Sequence, residues 1–191
     1  MKTLYIERST GDCRSGDWVE KLDLDGVGRI VVGTGPGSFA GIRSALAFAQ
    51  GYALGRPCEV FGMPSPCALA AQAYAGGLSP SRRLAVVGDA RRGKLWLARN
   101  DFATAGAAEI AAAPILIDAE ALAATLDPGY RIVSPEGTRL VQRLAGLATA
   151  HDLSALAADV LPTAGDLLAL HAAYPDAATD NPLPAYLHPA V

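Results

Sequence analysis

The sequence predicts an α/β fold, and three observations point there. Arg29-Ile30-Val31-Val32 is a β-branched run, apolar on both faces, as a strand inside a sheet requires. It runs into Gly33-Thr34-Gly35-Pro36-Gly37-Ser38, after which Ile42, Leu46, Ala49 and Ala53 repeat at helical spacing. Farther along, Asp89-Ala90-Arg91-Arg92-Gly93 separates two apolar runs, Leu84 to Val87 and Lys94 to Ala98, in the manner of a β-hairpin.

The elements follow in order. Leu4-Tyr5-Ile6 reads as a first strand, closed by the turn formers Ser9-Thr10-Gly11-Asp12. Trp18 to Leu24 alternates loosely, as a strand can, and Asp25-Gly26 is a turn signal. Arg29 to Val32 is the second buried strand. The helix from Phe39 to Leu54 is stopped by Gly55 and Pro57. Val60 to Met63 reads as another strand, and Ser65 as the cap of a helix from Pro66 to about Ala75. Strand, loop, helix, strand, helix implies a crossover unit. Gly, Ser and Pro dominate Gly76 to Ser81, so a boundary between two lobes, 1–78 and 79–191, is placed there. Beyond the hairpin, strands are expected at Pro114 to Ile117 and Tyr130 to Val133. Helices are expected at Ala119 to Leu126, Thr138 to Ala148 and Ala164 to Ala173. The proline-rich tail from Asn181 is expected to be extended.

Composition narrows the function classes. The chain has 191 residues and a net charge of −3 with no basic block, so any RNA contact calls for a second, more basic chain. The run Lys2 to Ile6 is shorter than the apolar region of a signal peptide, and no stretch is long enough to span a membrane. Cys13, Cys58 and Cys67 are odd in number and lack C-x-x-C spacing. A reducing, cytoplasmic setting without membrane contact is expected.

The most specific feature is the segment from Gly33 to Arg43, where four glycines admit unusual backbone angles and close approach. As a phosphate-binding P-loop it lacks the lysine, because Ile42 and Arg43 follow Gly41. As a dinucleotide fingerprint, Gly35 to Ala40 fits G-x-G-x-x-A, with Glu59 downstream. Pro36 stiffens that loop, however, and Glu59 would open its strand rather than end it. A nucleotide-binding enzyme using Gly33 to Ala40 is thus an alternative. The third reading is structural. The helix carries Gly41, Ser44, Ala45, Ala47, Ala49, Gly51 and Ala53, and small residues permit tight packing inside the chain or across an interface.

No catalytic, metal or cofactor constellation is evident. His151, His171 and His188 stand outside ligand spacing of one another, and there is no G-x-S-x-G elbow. Asp89, Arg91 and Arg92 cluster at a turn, either as solvated charge or as an interface contact. Arg43 lies in the first turn of its helix, where a cation opposes the dipole, which suggests that it pairs or reaches outward.

The run Gly35-Pro36-Gly37-Ser38-Phe39-Ala40-Gly41-Ile42-Arg43 resembles the G-P-G-S-F-T-G-[IV]-R signature of the TsaB (YeaZ) family, with Ala40 in place of threonine. Leu46 to Gly51 resembles that family's L-A-x-A-x-G-L-A helix, and Asp89 to Trp96 its D-A-R-x-G-E-V-Y hairpin. Tyr186-Leu187-His188 resembles Y-L-R, and Ile6 to Thr10 a degraded I-D-T-S-T. The matches keep the family's order across most of the chain.

The resemblance implies an actin-like, sugar-kinase-like (ASKHA) fold of two ribonuclease-H-like lobes. Only 22 residues lie between Thr10 and Gly33, so the N-terminal lobe is shortened. It implies a non-catalytic accessory subunit in making N6-threonylcarbamoyladenosine in tRNA. That subunit would pair with a TsaD-type catalytic protein beside a TsaE-type ATPase, and would meet tRNA only through the complex. The implied site residues are Phe39, Gly41, Arg43, Ser44, Ala47, Phe48 and Gly51 for the partner interface. Gly35, Pro36, Gly37 and Ser38 form the motif loop, and Asp89, Arg91 and Gly93 the hairpin. A homodimer through the same helix, without a tRNA role, is the other alternative. In ATP-using relatives an aspartate on the first strand holds metal and phosphate, whereas Glu7 and Arg8 stand there in this chain.

Overall fold

A computed structural model describes residues 1–10, 16–77, 82–102, 113–148, 151 and 153–187. The division after residue 78, Cys13 and His188 lie outside the described residues. Two four-stranded sheets organise the chain. In the first, β1 (Lys2–Ile6) runs parallel to β2 (Val27–Gly33), and β2 parallel to β3 (Glu59–Met63). A two-residue strand, β8 (Thr179–Asp180), closes that sheet antiparallel to β3. The second sheet has the hairpin β4 (Arg83–Arg91) and β5 (Lys94–Asp101) at its centre. There β6 (Ile115–Ile117) lies beside β5 and β7 (Arg131–Val133) beside β4.

The β-branched run behaves as its composition demands. Ile30, Val31 and Val32 are fully buried, with alternate side chains feeding opposite faces of the sheet. Ile30 and Val32 meet Ile42, Ala45, Leu46 and Ala49 of α1 (Phe39–Ala53). Val31 meets Cys67 and Ala68 of α2 (Ser65–Ala75) and Leu167 and Leu170 of α5 (Ala164–Ala173). Helix α2 also gives Leu69, Ala70 and Ala73 to a cluster with Leu84, Val86, Trp96 and Ala98 of the second sheet. It therefore lies between the sheets, which is why its sequence is apolar nearly all round. The far face of the second sheet packs on Leu122 of α3 (Ala119–Thr125), on Leu140 of α4 (Gly137–Leu140) and on Leu144 and Leu156.

Several expectations are corrected. Trp18 to Leu24 forms no strand; Gly16–Lys21 is a 3₁₀ turn. Burying the Trp18 ring edge-on against Phe48, 5.4 Å between centroids, outweighs the loose alternation, and β1 already pairs directly with β2. The helix expected from Thr138 to Ala148 is α only over Gly137–Leu140 and continues as turns and a 3₁₀ segment at Ala145–Leu147. The Leu140/Leu144 pair stays on the inner face, while Gly146 weakens helix at its far end. Ser65 does not cap α2; Pro64 holds the cap position and Ser65 is the first helical residue. β8 had no sequence signal at two residues. Helix α5 starts where expected, on a capping box between Thr163 and Asp166.

Candidate functional site

The glycine-rich loop is held from beneath by the segment that follows β1. Glu7 Oε1 accepts the Ser9 N–H at 2.7 Å, and the Ser9 carbonyl accepts the Ser38 N–H at 2.6 Å. The Ser65 hydroxyl, freed from capping duty, accepts the Gly35 N–H at 3.0 Å, and the Thr34 N–H donates to the Met63 carbonyl at 2.9 Å. A Cβ at Gly33 would lie 2.0 Å from the Glu7 carboxylate, and one at Gly37 would lie 2.1 Å from the Ser9 carbonyl. Glycine is needed at 37 because the Ser9 backbone presses against the loop, whereas a side chain at 33 would have to displace the Glu7 and Ser65 side chains. Burial pushes the Glu7 carboxyl above its ordinary range, against the opposing pull of hydrogen bonds from Ser9, Ser65 and the Arg8 amide. Arg8 turns away, its guanidinium 4.8 Å from the Trp18 ring centroid.

The C-terminal tail covers the other side of the loop. The Ala185 N–H donates to Thr34 at 2.9 Å, and Gln50 Nε2 donates to the Pro182 carbonyl at 3.3 Å. A crevice of about 50 Å³ remains among Gly37, Phe39, Ile42, Pro184, Ala185 and Tyr186. Sites for nucleotide-sized ligands run to several hundred Å³. The amides of Thr34, Gly35 and Ser38 are engaged by the protein and Pro36 has none, so the loop is poor in the free donors that cradle a phosphate. Glu59, the candidate ribose acid, opens β3 and pairs instead with Arg29 at 2.8 Å.

Helix α1 divides cleanly. Ser38 caps it by accepting the Gly41 N–H at 3.3 Å. Gly41, Ile42, Ala45, Leu46 and Ala49 face inward. Phe39, Ala40, Arg43, Ser44, Ala47, Gln50, Gly51 and Leu54 form the exposed outer stripe. Of the seven interface residues the sequence suggested, Phe39, Arg43, Ser44, Ala47 and Gly51 lie on that stripe. Gly41 is buried and serves the cap, and Phe48 is half-buried between Trp18 and Tyr52. Arg43 sits 4.8 Å from the Phe39 ring centroid, and Phe39 lies 5.9 Å from Tyr186. The tail thus extends the aromatic end of the stripe, which sequence reasoning missed. A Cβ built on Gly51 meets nothing within 4 Å, so nothing inside this chain asks for glycine there.

The hairpin residues lie away from α1, at the end of the second sheet. Asp89 is turned inward: its N–H donates to Glu136 Oε2 at 2.9 Å and its Oδ1 accepts the Arg91 N–H at 2.9 Å. Arg143 donates to the Gly93 carbonyl and reaches Asp89 at 3.6 Å. Gly93, at φ +79°, supplies the left-handed turn position. His171 shares a 2.9 Å hydrogen bond with the Tyr5 hydroxyl, and His151 is buried. Among the described residues no three His, Cys, Asp or Glu side chains are grouped to hold a metal, and no helix is long and apolar enough to cross a membrane.

With this geometry in place, a family model described as TsaD: tRNA N6-adenosine threonylcarbamoyltransferase matches residues 19–166. A crystal structure of an uncharacterized protein with similarity to peptidase YeaZ from Pseudomonas aeruginosa superposes with a TM-score of 0.63 at 25% identity, over 89% of this chain and 78% of that one. YeaZ from Pseudomonas aeruginosa superposes with a TM-score of 0.61 at 23% identity, over 87% and 77%. The two-sheet architecture is the actin-like, ribonuclease-H-like fold of these proteins. No curated protein matches the sequence.

Proposed function

We propose, from the premise that this chain belongs to the family described as TsaD: tRNA N6-adenosine threonylcarbamoyltransferase, that it is the accessory, non-catalytic subunit of a tRNA-modifying pair. Membership and the likeness to YeaZ support a role connected with N6-threonylcarbamoyladenosine at the level of the family. The finer reading is that the outer stripe of α1 docks a TsaD-type catalytic protein, with tRNA and a TsaE-type ATPase meeting the pair rather than this chain alone.

Gly51 carries this reading. A glycine in a helix interior costs about 0.5–1 kcal/mol relative to alanine. Here it lies on the exposed face with open space where a Cβ would stand. That cost has no return inside the chain, but it lets another backbone approach closely. Ala40, Ser44 and Ala47 keep the rest of the stripe low, and Phe39 stands 59% exposed at its end as an aromatic anchor.

The test is light scattering on size exclusion, with and without the same organism's TsaD-type protein. A one-to-one complex broken by Ser44→Arg or Ala47→Arg is the expected result. If the chain forms only a homodimer through this face and ignores that protein, the partner role fails and the homodimer reading replaces it. Saturable nucleotide binding by the chain alone would instead favour the enzyme reading, which the engaged loop amides disfavour.

A further inference from the structure

We propose that the tip of the β4–β5 hairpin, together with Arg139 beside it, is a contact surface for the phosphate backbone of RNA; the setting, a tRNA-directed complex, rests on the function proposed above.

Backbone geometry gives the first argument. Arg91 and Arg92 stand at φ +68° and +52°, in the left-handed region. A residue with a Cβ pays roughly 1–2 kcal/mol there, and asparagine or glycine is the usual choice for such a turn. The strand register breaks between Asp89 and Arg91, a bulge that re-aims the side chain which follows. Packing does not explain the choice of arginine. The Arg91 side chain is 70% exposed, and Arg92 is exposed and pairs with no described carboxylate.

Charge placement gives the second. The two carboxylates at the tip face inward, Asp89 17% and Glu136 26% exposed, and both are occupied by backbone amides. Asp89 also takes Arg143, which is tied to the turn through the Gly93 carbonyl. What faces solvent is the guanidinium set of Arg91, Arg92 and Arg139, the last 62% exposed. The contacts of Arg91 to Asp89, at 3.3 Å, and of Arg139 to Glu136, at 3.2 Å, are surface pairs that exchange readily for a phosphate. Asp89, Glu136 and Arg143 are positioning residues.

The shape of the surface favours nucleic acid over an acidic protein segment. The cavity beneath the tip, about 150 Å³, is lined by Asp89, Glu136, Arg139, Leu140 and Arg143. Leu140 is buried, so the lining offers a peptide no apolar anchor pocket. Phosphate contacts need only guanidinium groups, and the chain's net charge of −3 keeps the grip weak until a second chain joins.

The test follows the backbone amide and arginine Nε–H resonances of residues 91–93, 139 and 143 in the isolated full chain. One titration uses an unmodified anticodon stem-loop RNA, and a second uses poly-glutamate. Shifts centred on these residues with RNA are expected. Three phosphate contacts predict that a fourfold rise in salt weakens binding roughly 20- to 40-fold. The triple variant Arg91→Gln, Arg92→Gln, Arg139→Gln should bind at least about tenfold more weakly and lose most of that salt dependence, with its melting temperature unchanged. Poly-glutamate moving the same resonances as strongly overturns the proposal in favour of an acidic protein segment. So does the absence of localised shifts, or a triple variant that binds like the wild type. Pairing with the TsaD-type protein is scored separately by light scattering. Localised RNA shifts without pairing leave the site and remove the partner role; pairing without RNA shifts does the reverse.

Discussion

Replacing Gly51 by alanine should stabilise the isolated chain while leaving room for little else to change. Beyond its own turn of helix nothing lies within 4 Å of the new Cβ, so there is no steric penalty to subtract. The gain is the glycine's excess backbone entropy, about 0.5–1 kcal/mol in a helix interior. Gly51 stands two residues before the end of α1, and its carbonyl accepts from the Leu54 cap, so the lower half of that range applies. For a chain of this length the melting temperature should rise by about 1–3 °C. Gly51→Leu tests the other half of the argument. Its side chain projects into solvent in the monomer, so stability should again not fall. Against a closely approaching partner helix it forces separation, costing about 1–3 kcal/mol of pairing, or roughly fivefold to over a hundredfold in affinity. Thermal unfolding of each isolated variant and calorimetric titration with the TsaD-type protein read the two effects. A lower melting temperature for Gly51→Ala would mean that the fold itself needs the glycine. Undiminished pairing by Gly51→Leu would remove the close-approach argument.

Other expectations follow from the loop and the core. Glu7 holds its proton more tightly folded than unfolded, so its contribution to stability falls as pH rises from about 4.5 through its raised value, then stays low. The stability of Glu7→Gln relative to the wild type should therefore increase with pH over that window in chemical denaturation, and a pH-independent difference would refute the buried-charge account. Ser38→Ala removes the α1 cap and should cost about 1 kcal/mol, read as a melting temperature lower by about 2–4 °C. Leu167→Ala, at a fully buried site where α5 meets the first sheet and α2, should cost about 2–5 kcal/mol in denaturant unfolding. A cost under 1 kcal/mol would mean that α5 is not integral to the core.

The features the sequence determined are those with a local cause. Ile30, Val31 and Val32 announce a buried strand by composition, Ala164 to Ala173 reads as a helix, and Asp89 to Gly93 sits where two apolar runs must reverse. The 3.6-residue stripe of α1 also determined which of its residues face the sheet, because helical geometry fixes that once one face is buried. Tertiary structure decided whatever depends on elements distant in the chain. Whether the loop amides are free for a ligand turned on Ser9 and Ser65, which reach the loop from the segment after β1 and from α2. Ser65 has the residue type of a cap, yet it stands one residue inside the helix and its hydroxyl turns to Gly35, 30 residues away in the chain. Trp18 alternates like a strand residue but is claimed by Phe48. The tail carries no periodicity, yet its return over Thr34 brings Tyr186 beside Phe39. Periodicity and capping record what a residue needs from its near neighbours; burial, hydrogen-bond satisfaction and the shape of a surface are set by what the rest of the chain places against it.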